Sequence, residues 1–249
     1  MIKQHTISLI MPCRNEGKAL ETVLKRLPEE IDEVIVVDNN STDKTLDVAK
    51  RYGARIFKEN RVNKYGIGYG YALQKGIGEA KGTIVICMDG DGSYPAKEIP
   101  RLAGKLIDKN LDFISCNRLP FKNPKKMSFI RATGVRILNI ITWFLYGYKI
   151  KDSLSGMWVF RRHALEEIKL FEGGWNLSLE IKLKSFIHPK LNFSEEQISY
   201  RDRIFDISKQ SLVRTGLEHV LYLFSFRIAL LRVNRYGLGL TILPKSNSL

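Results

Sequence analysis

The chain has 249 residues, of which 44% are hydrophobic and 27% are charged, and its formal net charge is +14. This composition excludes an intrinsically disordered chain and predicts one large domain, or one domain with an appendage. The basic excess predicts an anionic partner, which leaves open a nucleic acid, an acidic lipid surface or a phosphorylated substrate. Three cysteines without a CxxC pair predict buried thiols in a reducing compartment, and the scattered histidines predict no zinc site.

Apolar runs alternate with amphipathic segments in the first half of the chain. Strands are predicted at 6–12, 33–37, 54–58, 83–88 and 112–117. Helices are predicted between them, at 17–27, from Ser41 or Thr42 to Gly53, at 69–80 and at 96–109. This alternation indicates an α/β fold with a mainly parallel sheet flanked by helices on both faces.

The second half of the chain has a different character. From Arg118 to Lys151 there are eight basic residues and no acidic one, and an apolar, aromatic-bearing helix is predicted at 129–148. A loop feeding a strand is predicted at 152–160, a helix at 177–187, a strand at 197–200 and an apolar helix at 220–233. No uncharged apolar stretch is long enough to predict a membrane-spanning helix, and the short N-terminal run predicts no signal peptide.

Polar clusters stand at the predicted ends of four strands. They are Pro12 to Glu16, Asp38 to Asp43, Asp89 to Asp91, and Asn117 with Arg118. In open α/β sheets, ligands bind outside the carboxyl ends of the strands. The four clusters therefore predict a single binding rim.

Asp89 and Asp91 are the most informative pair on this rim, because they directly follow the apolar run 83–88. Two carboxylates one residue apart repel each other unless a cation lies between them, and oxygen ligands favour Mg²⁺ or Mn²⁺. A solvated turn is the alternative, since Asp and Gly are common turn residues.

Taken together, residues 6 to about 210 resemble a family 2 glycosyltransferase of GT-A (Rossmann-like) fold. The resemblance is to the subgroup of dolichyl-phosphate mannose synthases and other polyprenyl-phosphate sugar transferases. It depends on Pro12 to Glu16, Val36 to Asp43, Gly68 to Ala72, the D-x-D motif at Asp89 to Asp91, Asp152 with Ser155 and Gly156, and Arg203 with Ser208 and Lys209. It implies a catalytic domain at 1–210, with a candidate membrane-interface helix at 126–150, and a basic, apolar helical tail at 211–249.

The resemblance also implies roles for individual residues. Asp89, Asp91 and Ser93 are implied as ligands of Mg²⁺ or Mn²⁺ beside the leaving diphosphate of a nucleoside diphosphate sugar. The implied donor-binding residues are Pro12, Arg14, Asn15, Glu16, Asp38, Asn39, Gly68 and Gly90. Asp38 has the alternative role of a helix cap, and Glu16 that of a solvated side chain. Arg14, Asn39, Tyr69 and Asp206 depart from the usual family residues. The departures at Arg14 and Asn39 fall in the implied nucleotide pocket, which leaves guanine or uracil open as the base.

The acceptor is expected to be a polyprenyl phosphate. A phosphate monoester is largely a dianion at neutral pH and needs cationic side chains instead of a general base. Guanidinium groups bind phosphate well, which indicates Arg118, Arg131 and Arg203 as catalytic residues, with help from Lys209. If the acceptor were instead a hydroxyl of a saccharide or protein, Asp152 or Glu180 would be the expected general base.

The segment 129–148 is expected to lie in the membrane interface, with Trp143, Tyr146 and Tyr148 at headgroup depth; a core helix is the alternative. The segment 220–233 is a second interfacial helix or a homo-oligomer contact. The hypothesis is an inverting transfer of one sugar, from GDP-mannose or a UDP-hexose, by a peripheral enzyme on the cytoplasmic membrane face. A non-catalytic nucleotide-binding module is the rival from another class. A nucleic-acid partner is not expected, because no recognised nucleic-acid module is present.

Overall fold

The structure is a computed structural model that describes residues 2–120, 126–201 and 211–235. Its centre is a seven-stranded sheet in the order β3-β2-β1-β4-β6-β5-β7. The strands are β1 (Ile7–Cys13), β2 (Glu33–Asp38), β3 (Arg55–Lys58), β4 (Ile84–Cys87), β5 (Phe113–Asn117), β6 (Trp158–Arg161) and β7 (Phe193–Gln197). The helices are α1 (Gly17–Leu24), α2 (Thr45–Arg51), α3 (Tyr69–Glu79), α4 (Ile99–Asp108), α5 (Lys126–Tyr146), α6 (Leu177–Ile187) and α7 (Leu212–Arg235).

The sheet is parallel except at β6, which runs antiparallel to both β4 and β5. The other strands therefore end at one edge, and this confirms the predicted α/β fold and the predicted meeting of the four polar clusters. Strands β1 and β4 are buried on both faces because their side chains enter two separate cores. Alternate residues such as Leu9 and Ile10 point into opposite cores.

One expectation about the second half was wrong in position, and another was right in kind but too short. The strand predicted at 197–200 is β7 at Phe193–Gln197, an edge strand whose sequence FSEEQ has too few apolar residues to be recognised from its pattern. The strand ends at Gln197, and Ile198 after it is buried in the core. The helix predicted at 220–233 is longer, and α7 begins at Leu212.

Helices α5 and α7 form a layer of their own. A third apolar cluster joins them to α6 through Leu138, Leu179, Leu223 and Leu230, and the Tyr146 hydroxyl donates to the Leu223 carbonyl at 2.5 Å. Tyr148 stacks on Phe186 with ring centroids 3.7 Å apart. The expected headgroup position is therefore wrong for Tyr146, which is buried. Tyr148 is half-buried and Trp143 is exposed, and their headgroup position stays a prediction.

No helix within the described ranges is long and apolar enough to cross a bilayer. The predicted division of the chain at residue 210 falls in the segment 202–210, outside the described residues. It stays a prediction, and so does the tail beyond residue 235.

Candidate active site

A first cavity, here called the donor cavity, opens at the carboxyl ends of β1, β2 and β4. The loop after β1 contributes one wall, the start of α3 a second, and the loop after β4 the floor. Its lining residues are Pro12, Cys13, Arg14, Glu16, Asn39, Ile67, Gly68, Tyr69, Ala72, Asp89, Gly90, Asp91 and Trp175. Most of the predicted donor-binding residues therefore border one cavity, and Asn15 and Asp38 do not.

Asn15 and Asp38 fasten the loops behind the donor cavity. Asn15 has a positive φ of 55°, and its side-chain oxygen accepts the Thr42 backbone N–H at 2.7 Å. The buried Asp38 carboxylate accepts the Ser41 backbone N–H at 3.2 Å. Asp38 closes a turn within the loop and does not cap α2, which begins at Thr45 without a side-chain cap. Both residues therefore position the rim, and direct nucleoside contact stays a prediction for them.

The wall at α3 depends on a close backbone approach. A Cβ on Gly68 would lie 2.4 Å from the carbonyl oxygen of Arg61 and 2.4 Å from Nδ2 of Asn39. The Asn39 amide nitrogen donates to the carbonyls of Glu59 and Arg61, which joins the end of β2 to the following loop. Across the opening, Arg14 Nη1 donates to the Gly66 carbonyl at 2.9 Å. Arg14 therefore connects the loop after β1 to the segment that leads into α3.

The floor of the donor cavity is strongly acidic. Asp91 is 2% exposed, and its Oδ1 accepts the Ser93 backbone N–H at 2.9 Å and the Ser93 hydroxyl at 2.5 Å. Asp89 Oδ1 accepts the Tyr69 hydroxyl at 3.1 Å. Burial raises the pKa of the Cys13 thiol well above its ordinary value, and so do four surrounding carboxylates, those of Glu16, Asp38, Asp89 and Asp91. Such a concentration of negative charge, in a chain of net charge +14, favours a bound cation.

The donor set fits Mg²⁺ or Mn²⁺ held together with a substrate diphosphate. Within the described part of the chain, no group of three or more His, Cys, Asp or Glu side chains could hold a metal ion alone. Mg²⁺ normally takes one or two carboxylates, with phosphate and water oxygens completing its coordination. Asp89, Asp91 and the Ser93 hydroxyl supply hard oxygen atoms of this kind beside the cavity.

A second cavity of about 480 Å³, here called the acceptor cavity, lies between the rim and the α5–α7 layer. Its polar lining includes Asp89, Arg118 and Arg131, which the sequence predicted, and Tyr94 and Tyr200. Its remaining wall is mostly aliphatic and includes Ile130, Val135, Ile137, Leu138, Leu154, Leu212, Val213, Leu217 and Val220. Arg203 lies outside the described residues, and its predicted role stays a prediction.

Arg118 is held by a bidentate ion pair. Its Nε lies 2.8 Å from Asp152 Oδ2, and its Nη2 lies 2.9 Å from Asp152 Oδ1. Burial alone would raise the pKa of Asp152, but Arg118 and Lys182 hold it below the ordinary value. The guanidinium carbon of Arg118 also lies 5.3 Å from the Tyr200 ring centroid. Arg118 is thereby fixed in orientation while it borders the acceptor cavity.

The loop that carries Asp152 is fastened by three elements. Asn139 of α5 donates to the Lys151 carbonyl at 2.7 Å and accepts the Ser153 N–H at 3.0 Å. The fully buried Lys182 of α6 donates to the carbonyls of Asp152 and Ser153, each at 3.0 Å. Glu195 of β7 accepts the Lys151 N–H at 2.8 Å. The loop therefore has little freedom to move Asp152 away from Arg118.

The two carboxylates considered as general bases for a hydroxyl acceptor are both engaged elsewhere. Asp152 is fully buried in its pair with Arg118. Glu180 is 2% exposed, and it accepts the backbone N–H groups of Phe171 and Glu172 and an ion pair from Lys184. A base must reach the proton that it removes, and neither carboxylate borders either cavity.

Sequence reasoning missed Trp175. Its ring packs against Tyr69 with centroids 4.6 Å apart, and both residues line the donor cavity and the acceptor cavity. The only local signal is the Gly173-Gly174 pair before the tryptophan, which marks a close backbone approach. The sequence shows Tyr69 only as a departure from a family motif and does not predict its hydrogen bond to Asp89.

The family model for "Glycosyl transferase family 2" matches residues 8–169, which include β1 to β6 and Asp89 to Asp91. An uncharacterized glycosyltransferase of Mycobacterium tuberculosis is 40% identical over 72% of this chain and 78% of that protein. The fold defines an α/β protein with two cavities at the carboxyl ends of its parallel strands, and the family match makes the assignment specific. The chain belongs to glycosyltransferase family 2.

More distant relatives have named activities. The dolichyl-phosphate hexose transferase of Haloferax volcanii is 27% identical over 79% of this chain and 83% of that protein. Among solved structures, glucosyl-3-phosphoglycerate synthase of M. tuberculosis, in complex with Mn²⁺, UDP-glucose and phosphoglyceric acid, superposes with a TM-score of 0.71. That likeness covers 90% of this chain and 80% of the other at 20% identity, and it shows the GT-A fold alone.

Proposed function

We propose that the chain transfers one hexosyl group, with inversion, from a nucleoside diphosphate sugar to a polyprenyl phosphate. The observation that carries the proposal is that the donor cavity meets an aliphatic cavity at Asp89, with Arg118 and Arg131 bordering the second. A polyprenyl phosphate has one anionic end and one long apolar end, which matches this distribution of lining residues. The named activity of the Haloferax relative supports the same acceptor class.

In the donor cavity, Asp89, Asp91 and Ser93 would hold a divalent cation, which supplies Lewis-acid stabilisation to the leaving diphosphate when bound. Asp91 is held by Ser93, and Asp89 by Tyr69, so both carboxylates are oriented before substrate binds. Arg14, Asn39 and Gly68 border the space for the nucleoside. Asn39 and the Arg61 carbonyl lie so close to Gly68 that no side chain fits at position 68, where α3 begins.

In the acceptor cavity, Arg118 and Arg131 would bind the phosphate of the acceptor. A phosphate oxygen forms the new bond to the anomeric carbon, while the bond from that carbon to the diphosphate oxygen breaks and its electron pair leaves with the diphosphate. No proton has to move, because the attacking phosphate is already ionised. The engagement of Asp152 and Glu180 in buried contacts is consistent with a reaction that uses no general base.

Attachment to a membrane surface would give the enzyme access to its acceptor. One group of exposed apolar side chains lies on α5 and another on α7; we call them together the α5–α7 apolar surface. Its members are Phe129, Ile130, Ile137, Ile140, Trp143, Phe144, Val213, Leu217, Leu221, Phe224, Ile228 and Leu231. Four of them also line the acceptor cavity, so the cavity is continuous with this surface. A basic chain with such a surface is suited to the anionic, cytoplasmic face of a membrane.

The test supplies the purified chain with Mn²⁺, a panel that includes GDP-mannose and UDP-glucose, and either a polyprenyl phosphate in detergent or 3-phosphoglycerate. We expect a glycolipid to form with one donor. Transfer to 3-phosphoglycerate with no glycolipid would contradict the acceptor assignment. Metal-dependent nucleotide binding without any turnover would instead favour the non-catalytic module.

A further inference from the structure

Trp175 stands where the two cavities meet. It lines both of them, and only Tyr69 and Asp89 share that position among the described residues. If the proposed function is correct, this is where the transferred sugar must lie, because its anomeric carbon passes from the diphosphate to the acceptor phosphate. None of the motifs in the sequence assigns a role to Trp175.

The chain places Trp175 by a glycine-dependent turn. The Gly173 carbonyl accepts the backbone N–H groups of Gly70 and Tyr71, at 2.9 and 3.2 Å, which docks the turn on the first residues of α3. A Cβ on Gly173 would lie 2.1 Å from the Tyr71 ring, and one on Gly174 would lie 2.7 Å from Asn63. This close approach packs the indole of Trp175 against the Tyr69 ring, with the ring centroids 4.6 Å apart.

The indole nitrogen of Trp175 is a buried donor. Its Nε1 is inaccessible to solvent, and no acceptor lies within hydrogen-bonding distance in the described parts of the chain. The other two described tryptophans differ, since Trp158 Nε1 donates to the Ser155 carbonyl at 2.9 Å and Trp143 is half-exposed on α5. A buried N–H without an acceptor costs free energy, and a ligand that supplies the acceptor removes that cost.

We propose that the Trp175 N–H donates a hydrogen bond to a hydroxyl of the transferred sugar and so contributes to the choice of hexose. The inference rests on the proposed function, because it requires a nucleotide sugar in the donor cavity. A neutral donor beside an aromatic face suits a sugar, which offers hydroxyl oxygens and apolar C–H groups. The anionic phosphate of the acceptor is better matched by Arg118 and Arg131, which also line the acceptor cavity.

The experiment measures binding without an acceptor, so it does not depend on turnover. Wild type, Trp175→Phe and Tyr52→Phe are titrated in Mn²⁺ with GDP and UDP, and with GDP-mannose, UDP-glucose and their monodeoxy sugars. Trp175→Phe keeps an aromatic ring and removes the N–H, whereas Tyr52→Phe removes a polar hydrogen from an aromatic residue outside both cavities. Thermal unfolding of each variant checks its fold.

For the nucleotide that binds, we expect Trp175→Phe to lose about three- to tenfold in affinity for the nucleotide sugar. Its affinity for the sugar-free nucleotide should equal that of wild type. One deoxy sugar should bind wild type more weakly than the parent sugar by a similar factor, and this loss is measured without any variant. The folded Trp175→Phe variant should bind that deoxy sugar and the parent sugar equally well. Tyr52→Phe should match wild type throughout.

Two results would overturn the inference and leave the proposed function standing. The first is that every deoxy sugar loses affinity equally for wild type and for Trp175→Phe. The second is that the only effect of Trp175→Phe is a higher KM for polyprenyl phosphate in the transfer assay. Wild-type protein that binds neither nucleotide nor nucleotide sugar would overturn the proposed function together with it.

Discussion

Arg118 and Asp152 are joined by two side-chain hydrogen bonds, and Asp152 also accepts the Arg118 backbone N–H at 3.0 Å. Removing one member of a buried ion pair leaves an uncompensated charge, which costs about 3–5 kcal/mol. We therefore expect Asp152→Asn to lower the free energy of unfolding in urea by about 3 kcal/mol. Where the variant folds, the KM for polyprenyl phosphate should rise more than kcat falls. Asp47→Asn, an exposed change on α2, is the control, and wild-type stability in Asp152→Asn would contradict the role of the pair.

Asp91 gives a prediction about metal dependence. We expect Asp91→Asn to reduce kcat by about 100-fold or more, because Lewis-acid stabilisation contributes several kcal/mol to such a displacement. The affinity of the nucleoside diphosphate should also lose its dependence on Mn²⁺, which calorimetry with and without the metal measures. Asp108→Asn, at the exposed end of α4, should leave both quantities unchanged. Retained Mn²⁺ dependence in Asp91→Asn would place the cation elsewhere.

Gly156 gives a prediction about the junction of the cavities. An added Cβ would lie 2.6 Å from the Tyr69 hydroxyl and 3.3 Å from Asp89 Oδ1, so Gly156→Ala must displace Tyr69. Misplacing reacting groups by about 1 Å can lower the reaction rate about 100-fold. We therefore expect kcat/KM of Gly156→Ala to fall by about 10- to 100-fold. Gly104→Ala is the matched control, because nothing lies within 4 Å of its Cβ and alanine favours the α4 helix. Equal activity in the two variants would show that the junction tolerates displacement.

His219 predicts a dependence of stability on pH. It is 2% exposed on α7, it hydrogen-bonds Asn176 Oδ1 at 2.7 Å, and burial, with the charge of Lys182, lowers its pKa to about 4. Between about pH 6.5 and pH 4 the unfolded chain binds more protons here than the folded chain does. Stability from the neutral imidazole is therefore complete above pH 6.5 and is lost as the pH falls toward 4, by about 3 kcal/mol in total.

The measurement compares urea unfolding of wild type and His219→Gln across this pH range. Carboxylates titrate in both proteins, so the difference between the two free energies isolates the histidine. We expect that difference to shrink as the pH falls. A difference that stays constant from pH 7 to pH 4 would show that His219 is charged in the folded chain or titrates normally.

The α5–α7 apolar surface predicts membrane binding. Phe144 is 84% exposed, and burying a phenylalanine side chain contributes about 1.5–3 kcal/mol, so we expect Phe144→Ser to weaken binding to anionic phospholipid vesicles by about tenfold or more. Vesicle sedimentation at two salt concentrations measures this loss and the electrostatic part of the binding. Phe171→Ser is the control, since Phe171 is 71% exposed but lies outside α5 and α7. Equal loss in both variants would contradict a specific surface.

The donor half of the site was predictable because its signals are local. Asp89 and Asp91 follow their own strand directly, and parallel strands must end at one edge, so the rim follows from the order of elements. Trp175 was not predictable in the same way, because its position depends on contact with Tyr69, about a hundred residues earlier in the chain. The edge strand β7 lies at Phe193–Gln197 and was predicted at 197–200. An edge strand needs few apolar residues, so its sequence lacks the pattern by which strands are recognised.

The acceptor half shows a further limit of sequence patterns. Arg118 was correctly expected at the rim, but the sequence offered Asp152 as a base, and the structure pairs it with that arginine. Burial decides between these roles, and burial depends on Lys182 and Asn139, which come from two different helices. One side of α5 packs inward, as a core helix would, and another is exposed, so the place of the segment 129–148 in a membrane interface stays a prediction.

The fastening of the Lys151 to Ser153 loop by Asn139 has a consequence for protein engineering. One way to study the choice of acceptor is to exchange α5 and α7 for the corresponding segments of a relative. Asn139 hydrogen-bonds the loop on both sides of Asp152, and Asp152 in turn orients Arg118. Replacing α5 therefore also removes a support of Arg118. A functional chimaera must therefore take α5 and the loop from the same parent. The close approach of Gly156 to Tyr69 and Asp89 extends this requirement to the residues around the D-x-D motif.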